Sequence, residues 1–298
     1  MRPAIHVLEH VSRVAPLGLR FRDAATGAWV SEGLRVSAFP VGQPSLRRES
    51  VVNRSGIHLL MNLPGLRDLE FGGEHAGDDA WWAALPSRRP YTIEVHDSLD
   101  RFLSCSFRAE LPHRGLFSLD CVASPPSPLS PPAPSVPLFS APTRQSAVPM
   151  AVVRAELWDT KAKAPASWAL VELTSEGGVT ARGMTDERGR LALFFPYPAP
   201  VDFAPGSPVD ASSLPPGPPL LEQTWPFQLR VHHDYRAPGT ALPDMCTTLS
   251  QPPAGVWADT GSPQALLEPT LRYGQELVLR TQDAPASRLW ITPTGSPP

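Results

Sequence analysis

The sequence predicts an all-β chain made of two antiparallel β-sandwich domains in tandem, joined by a proline-rich linker. Three observations predict it. Apolar residues recur at every second position in many short runs, turn-forming residues separate those runs, and helical periodicity is almost absent. The landmarks of the first half also return, in the same order, in the second.

The first copy runs Leu19, Phe21, Asp23, Thr26-Gly27, then Leu34, Val36 and Ala38; the second runs Val153, Ala155, Leu157, Asp159, then Leu170-Val171 and Leu173. Asn53-Arg54-Ser55-Gly56 followed by Ile57-His58-Leu59-Leu60 answers Asp186-Glu187-Arg188-Gly189 followed by Arg190-Leu191-Ala192-Leu193. Later, Ile93-Glu94-Val95-His96-Asp97 answers Leu229-Arg230-Val231-His232-His233-Asp234.

Taken in order, the strands are read from alternation. Leu19/Phe21, Leu34/Val36/Ala38, Ile57/Leu59, Ile93/Val95, Val153/Ala155/Leu157, Val171/Leu173, Leu191/Leu193/Phe195 and Leu229/Val231 each line one face. Arg20, Arg35, His58, Glu94, Arg154, Glu172 and Arg230 are expected on the opposite, solvated face, with Ala192 a neutral exception. Asn53 or Asp186 at the first position and Gly56 or Gly189 at the fourth suit a type I turn, where a short polar side chain accepts a backbone hydrogen bond.

Length agrees with two domains, since 298 residues exceeds the usual single-domain size. The expected division is 1–123, a linker at 124–149, and a second domain at 150–298 that carries a proline-rich insertion at 196–226. Much of the chain's complement of 38 prolines sits in those two stretches, which are expected to run as extended connectors.

Charge and composition narrow the function classes. The formal net charge is -3 with acids and bases mixed, so there is no electrostatic footprint for nucleic acid or an anionic membrane. No window approaches a membrane span, and the N-terminus lacks the apolar core of a secretory signal, which places the chain in the cytoplasm. Cys105, Cys121 and Cys246 are odd in number and lack CxxC spacing, so they read as buried free thiols; a Cys105–Cys121 disulfide is the alternative.

The second copy, with Val153–Asp159, Ala169–Leu173 and Ala181-Arg182-Gly183-Met184-Thr185-Asp186-Glu187-Arg188-Gly189-Arg190-Leu191, resembles the carboxypeptidase-regulatory-like, or transthyretin-like, β-sandwich. The first copy departs from that pattern, with Asn53 and Ser55 in place of the acidic turn residues. The resemblance implies a non-catalytic module for folding, docking or adhesion. The arrangement also resembles the two-sandwich accessory proteins of phage-tail-like contractile injection systems, through Asp97–Leu103 with Leu111-Pro112, Leu138–Arg144 and Phe194–Pro198. That resemblance implies other protein subunits of a large assembly as partners, with the assembled particle released from the cell.

Chemistry-bearing motifs are sparse. Glu94-x-His96-Asp97-x-x-Asp100 and His232-His233-Asp234 hold metal-ligand residue types, but adjacent strand residues point to opposite faces, and both read as polar strand ends. Glu74–Asp79 reads as an exposed loop, because the oxygen-ligand spacing of a Ca²⁺ loop is missing. With no nucleophile elbow, phosphate-binding loop or His-Glu-x-x-His, the reading assigns no catalytic, cofactor-binding or metal residues and no cofactor.

Aromatic residues carry the functional reading instead. Trp81, Trp82, Trp225 and Phe227 are the candidate interface, since a rigid indole buries a large apolar area while its N–H still finds a partner. Carbohydrate stacking at Trp81-Trp82 is the alternative, and capping of a sandwich end is the structural one. Trp29, Trp158 and Trp168 are expected in the core or at its edge.

Overall fold

Strands make up nearly all the regular structure in the computed structural model, which describes residues 13–71, 77–84, 88–119, 121, 134–145, 150–175, 180–198, 219–235 and 242–293. The α-helices among these residues, Asp79–Ala83 and Met245–Leu249, are single turns. The chain divides into two compact units. One comprises Met1–Arg22, Trp29–Ser98 and Ser104–Val136; the other comprises Asp23–Ala28, Leu99–Leu103 and Pro137–Pro298.

In the first unit, Leu17–Leu19 pairs antiparallel with His58–Leu60, which pairs in turn with Val51–Val52. A second sheet runs from Arg48–Glu49 through Leu34–Pro40 and Arg89–Asp97 to Cys105–Leu111. Leu17, Leu19, Phe21, Leu60, Tyr91, Ile93, Phe107 and Leu111 are fully or almost fully buried. Period-2 alternation in Arg89–Asp97 buries Tyr91, Ile93 and Val95 and turns Glu94 toward the other face.

In the second unit, Met150–Asp159 pairs antiparallel with Arg190–Pro196, and Leu170–Ser175 lies between Thr180–Met184 and Thr224–His232. Met150–Asp159 also takes two parallel partners, Leu277–Leu279 and Leu289–Pro293, so the sheet is mixed rather than purely antiparallel. Its core gathers Val153, Leu157, Val171, Leu173, Leu193, Phe195, Phe227, Leu229, Val256 and Ile291.

The pairing registers repeat between the two copies. Leu17↔Leu60 and Leu19↔His58 recur as Val153↔Leu193 and Ala155↔Leu191. Likewise Val36↔Val95 and Ala38↔Ile93 recur as Val171↔Val231 and Leu173↔Leu229, and Val95↔Cys105 recurs as Val231↔Ala254. The turns repeat bond for bond. Asn53 Oδ1 accepts from Ser55 N at 2.9 Å and Ile57 N at 3.0 Å, and Asp186 Oδ1 accepts from Arg188 N at 2.9 Å and Arg190 N at 2.8 Å. Gly56 and Gly189 each donate to the backbone oxygen of the turn's first residue at 3.0 Å, with φ of 72° and 74°.

Several expectations are corrected. His58 and Leu60, not Ile57 and Leu59, face the first core, because the Asn53 turn starts the strand one residue out of phase with the hydropathy reading. Arg190–Pro196 is buried on both faces, since Ala192 and Phe194 join Val152 in a separate apolar cluster. Residues 134–145, read as linker, include the strand Val136–Leu138 and an unbroken buried run from Val136 to Ala141. The insertion read at 196–226 ends inside a strand, because Thr224–Pro226 begins Thr224–His232; residues 199–218 lie outside the described residues.

The cysteines divide. Cys105 is a free thiol, buried at 3% exposure and pushed up to about 12 by desolvation, whereas Cys121 and Cys246 are disulfide-bonded. This replaces both the reading of three free thiols and the Cys105–Cys121 alternative.

A Cβ at Gly189 would collide with the Leu157 carbonyl oxygen, whereas one at Gly27, with φ +73°, would meet nothing within 4 Å. Gly27→Ala is expected to cost only the left-handed backbone penalty, about 1–2 kcal/mol, and Gly189→Ala a further ~2 kcal/mol or more through overpacking, read by urea denaturation. For the cysteines, a thiol reagent is expected to find no reactive thiol in the folded protein and Cys105 alone after unfolding without reductant. All three thiols should react after reduction, as counted by intact mass.

Candidate functional site

Of the four aromatic residues read as an interface, the fold brings two to the surface. Trp81 and Trp82 sit on the short helix Asp79–Ala83, which Asp78 caps by accepting from Trp81 N at 2.7 Å. Both indoles are half-buried and meet edge to face, with ring centroids 4.9 Å apart. Asp79 on the same turn pairs with Arg114. Glu74 and His75, part of the preceding polar cluster, lie outside the described residues.

Trp225 and Phe227 are core residues, at 6% and 2% exposure, which corrects their reading as interface. Alternation along Thr224–His232 sends both inward: Phe227 meets Phe195 edge to face at 5.3 Å, and Trp225 packs with Tyr197 and Tyr273. The insertion beside Trp225 had suggested a surface role, but strand phase decides the orientation.

One exposed aromatic was missed. Trp29, expected in the core or at its edge, is 51% exposed, and the Arg20 guanidinium lies 4.6 Å from its ring centroid. The signal was present: Phe21 pairs with Val30 and both are buried, so Trp29, paired with Arg22, must face the other way. Trp158 and Trp168 are half-buried, with Trp168 against the cluster of Leu103, Phe139, Ala141 and Met184.

The candidate metal ligands are held in separate bonds. Glu94 binds Arg47 at 2.7 Å and lies 3.8 Å from His96 Nε2, while His96 Nδ1 is 3.0 Å from Ser104 Oγ. Ser104, His96 and Glu94 thus form a chain of the residue types used in nucleophilic catalysis. Its carboxylate is beyond hydrogen-bond reach of the imidazole and is committed to Arg47. His232 turns to Glu172 at 3.3 Å and His233 turns inward to Asp159 at 3.4 Å, on opposite faces as alternation requires. Among the described residues, no three His, Cys, Asp or Glu side chains gather as a metal site.

A polar network that the sequence did not suggest centres on Arg144, within the segment read as linker. Its guanidinium binds Asp23 through two bonds, 3.0 Å to Oδ1 and 2.6 Å to Oδ2, and donates to Ser140 Oγ at 2.8 Å. The rings of Phe102 and Phe194 lie 5.0 Å and 5.4 Å from it. Beside it, Arg154 donates to the Pro142 carbonyl at 2.6 Å and pairs with Glu276 at 2.9 Å. Burial pushes the Asp23 carboxyl up, but the bonds from Arg144, Ala25 N and Thr26 together hold its pKa below the ordinary value.

Comparison with known proteins adds little to this geometry. No family model matches the chain, and no curated protein matches it. Among solved structures, the Bacillus anthracis TIE protein is similar at 9% identity and a TM-score of 0.24, over 94% of this chain and 34% of that one. The chain therefore spans 34% of the length of TIE. The shaft pilin SpaA from Lactobacillus rhamnosus GG is similar at 8% identity and a TM-score of 0.23, over 97% of this chain and 100% of that one. A C-terminal fragment of the pilus adhesin SpaC from Lactobacillus rhamnosus GG is similar at 8% identity and a TM-score of 0.18, over 95% of this chain and 100% of that one. Similarity at these TM-scores carries no argument about function.

The Asp23–Arg144 pair yields a prediction with a defined sign. The folded pKa of Asp23 lies below the unfolded value of about 3.9. Its contribution to stability is therefore complete above that pH and is lost as the pH falls from there through the folded pKa. Arg144→Met is expected to cost about 3–5 kcal/mol at pH 7, the cost of leaving a buried carboxylate without its partner. Asp23→Asn should flatten the acid limb of the stability profile, followed by denaturant titration between pH 2.5 and 7.

Proposed function

We propose that this chain is a non-enzymatic structural or docking component of a large protein assembly, built as two transthyretin-like sandwich modules in tandem. One observation carries the reading: among the described residues, polar side chains are spent on holding turns and segments in place, and the candidate ligands Glu94, His232 and His233 face Arg47, Glu172 and Asp159. Asn53, Asp186, Asp23 and Asp159 each accept backbone N–H groups in a turn, and Arg144 and Arg154 tie the 137–145 segment down. Such a frame has rigid loops to offer a partner. The exposed Trp29 and the half-buried Trp81 and Trp82 supply aromatic anchors of the kind that dominate binding energy at protein interfaces.

The sharpest form of the proposal is a subunit of a phage-tail-like contractile injection particle, which rests on the resemblance of segments 97–103, 138–144 and 194–198. Assembly would take place in the cytoplasm. The disulfide-bonded Cys121 and Cys246 favour an oxidising environment for the finished protein, as a released particle would meet. Carbohydrate binding is the second reading, favoured by the edge-to-face indole pair of Trp81 and Trp82.

Gentle lysis of the native cells, then size-exclusion chromatography and negative-stain microscopy, tests the assembly. Co-elution with a large particle is the expected result, and elution as a 32.2 kDa monomer overturns it. The paired substitutions Trp81→Ala and Trp82→Ala should weaken particle association about tenfold or more with the fold intact. Loss of retention on a polysaccharide column instead would establish the carbohydrate reading.

A further inference from the structure

His58 is a fully buried imidazole in the first unit. It opens the strand His58–Leu60, the middle strand of its sheet, with Leu19 opposite on one side and Val52 on the other. The ring has no solvent exposure, meets Phe21 edge to face at 5.2 Å, and has Nδ1 3.0 Å from Ser50 Oγ; Nε2 is sealed from solvent with no hydrogen bond of normal geometry.

Ser50 is where the chain changes sheets. Arg48–Glu49 forms the outer edge of one sheet by pairing with Ser37 and Ala38, and Val51–Val52 forms the outer edge of the other by pairing with His58 and Leu59. Between them Ser50 donates its N–H to the Val36 carbonyl at 2.8 Å and its side chain meets His58. Residues 41–49 and 51–52 are exposed, so little burial holds this segment in place.

The strands paired with His58 carry no charge, and the charges flanking them are engaged elsewhere or solvated. Glu49 binds Arg35 at 2.8 Å, Arg48 donates to the Arg47 carbonyl, and Arg20 donates to the Ser55 carbonyl. Arg22 alternates away from Phe21, and Glu32 and Arg54 are exposed. A proton on the ring would therefore sit in a dry setting, with the Ser50 hydroxyl and the Ser31 backbone as its polar neighbours.

We propose that His58 is a proton-operated latch on the edge segment 41–52, and that protonating its ring releases this segment and bares the edges of both sheets. Burial pushes the imidazole pKa below its ordinary value, and the Ser31 backbone, working the other way, does not offset this. The sign follows. The latch is fully closed above the unfolded pKa of about 6.5 and loosens as the pH falls below it, because the open form takes up a proton that the closed form refuses. Opening is local because this exposed segment has little buried surface to lose.

Residue-resolved hydrogen exchange on the full chain between pH 7.5 and 5, expressed as protection factors, tests the latch. Protection at Ser50 and its neighbours is expected to fall by up to about tenfold per pH unit below pH 6.5, while Val171 and Leu229 in the other unit stay flat. His58→Phe should remove the pH dependence, and Ser50→Ala should lower protection at every pH while keeping the dependence. Flat protection in the unmodified protein, or a pH-driven loss that persists in His58→Phe, overturns the proposal. Should His58→Phe fail to fold, the Cε1 proton titration of His58 in the unmodified protein decides: a midpoint well below 6.5 upholds the latch, and one at or above it overturns the latch.

Discussion

A β-strand of period 2 has no phase of its own, and the constraint on which this structure depends is the carboxylate or amide that sets that phase at the preceding turn. Asn53 and Asp186 each capture two backbone N–H groups with one oxygen atom, fixing which residue begins the next strand. A slip of one residue would turn His58 and Leu60 out of the first core, and in the second copy would swap Leu191, Leu193 and Phe195 with Ala192 and Phe194 between two apolar clusters of different shape. Thr185 reinforces the second turn from inside the core, accepting from Ala169 N at 2.8 Å and donating to the Ala166 carbonyl at 2.7 Å. The close approach of Gly189 to the Leu157 carbonyl then locks that turn against the neighbouring strand.

The same economy explains why polar residues that look chemical in the sequence are structural in the fold. Asp23 and Asp159 end corresponding strands and cap the turns that follow, and each must also satisfy a buried oxygen. Asp23 meets Arg144, whereas Asp159 faces His233, both side chains of that pair being 1% exposed. A buried carboxylate demands a partner because its desolvation is costly. The two copies answer one demand with different residues, so this position is legible as a turn from sequence but its partner is not.

Much of the fold could be read from the sequence. The repeated landmarks, both turns and the strand runs, apart from the phase of His58–Leu60, lie where alternation and turn chemistry put them, because those signals are local. What escaped was non-local. Nothing in Leu138–Arg144 says that Arg144 will reach Asp23, and a stretch dense in proline looks like a connector even where Val136–Ala141 is buried. For the candidate site, Trp81 and Trp82, read as interface, are half-buried on the Asp79–Ala83 turn. Trp225 lies inward because strand phase, not the adjacent insertion, sets its side, and Trp29 faces outward because proximity to a strand does not by itself bury a residue. Alternation against Val30 would have resolved the latter.

The two copies share their inner pairings and diverge at their edges. In the first, Arg89–Asp97 pairs with Cys105–Leu111 along its length; in the second, the corresponding pairing is confined to Val231↔Ala254 and His232↔Pro253. There Met150–Asp159 gains Leu277–Leu279 and Leu289–Pro293 as parallel neighbours instead. Substitutions in a packed core are costly because volume and phase must both be kept, whereas an edge strand can be shortened, replaced or left open at small cost. A duplicated module therefore acquires new roles at its edges first. In this chain the edges hold the exposed Val51 and Val52, the buried His58 behind them and the outward-facing Trp29, which makes the first unit's rim the place where its chemistry differs most from that of its repeat.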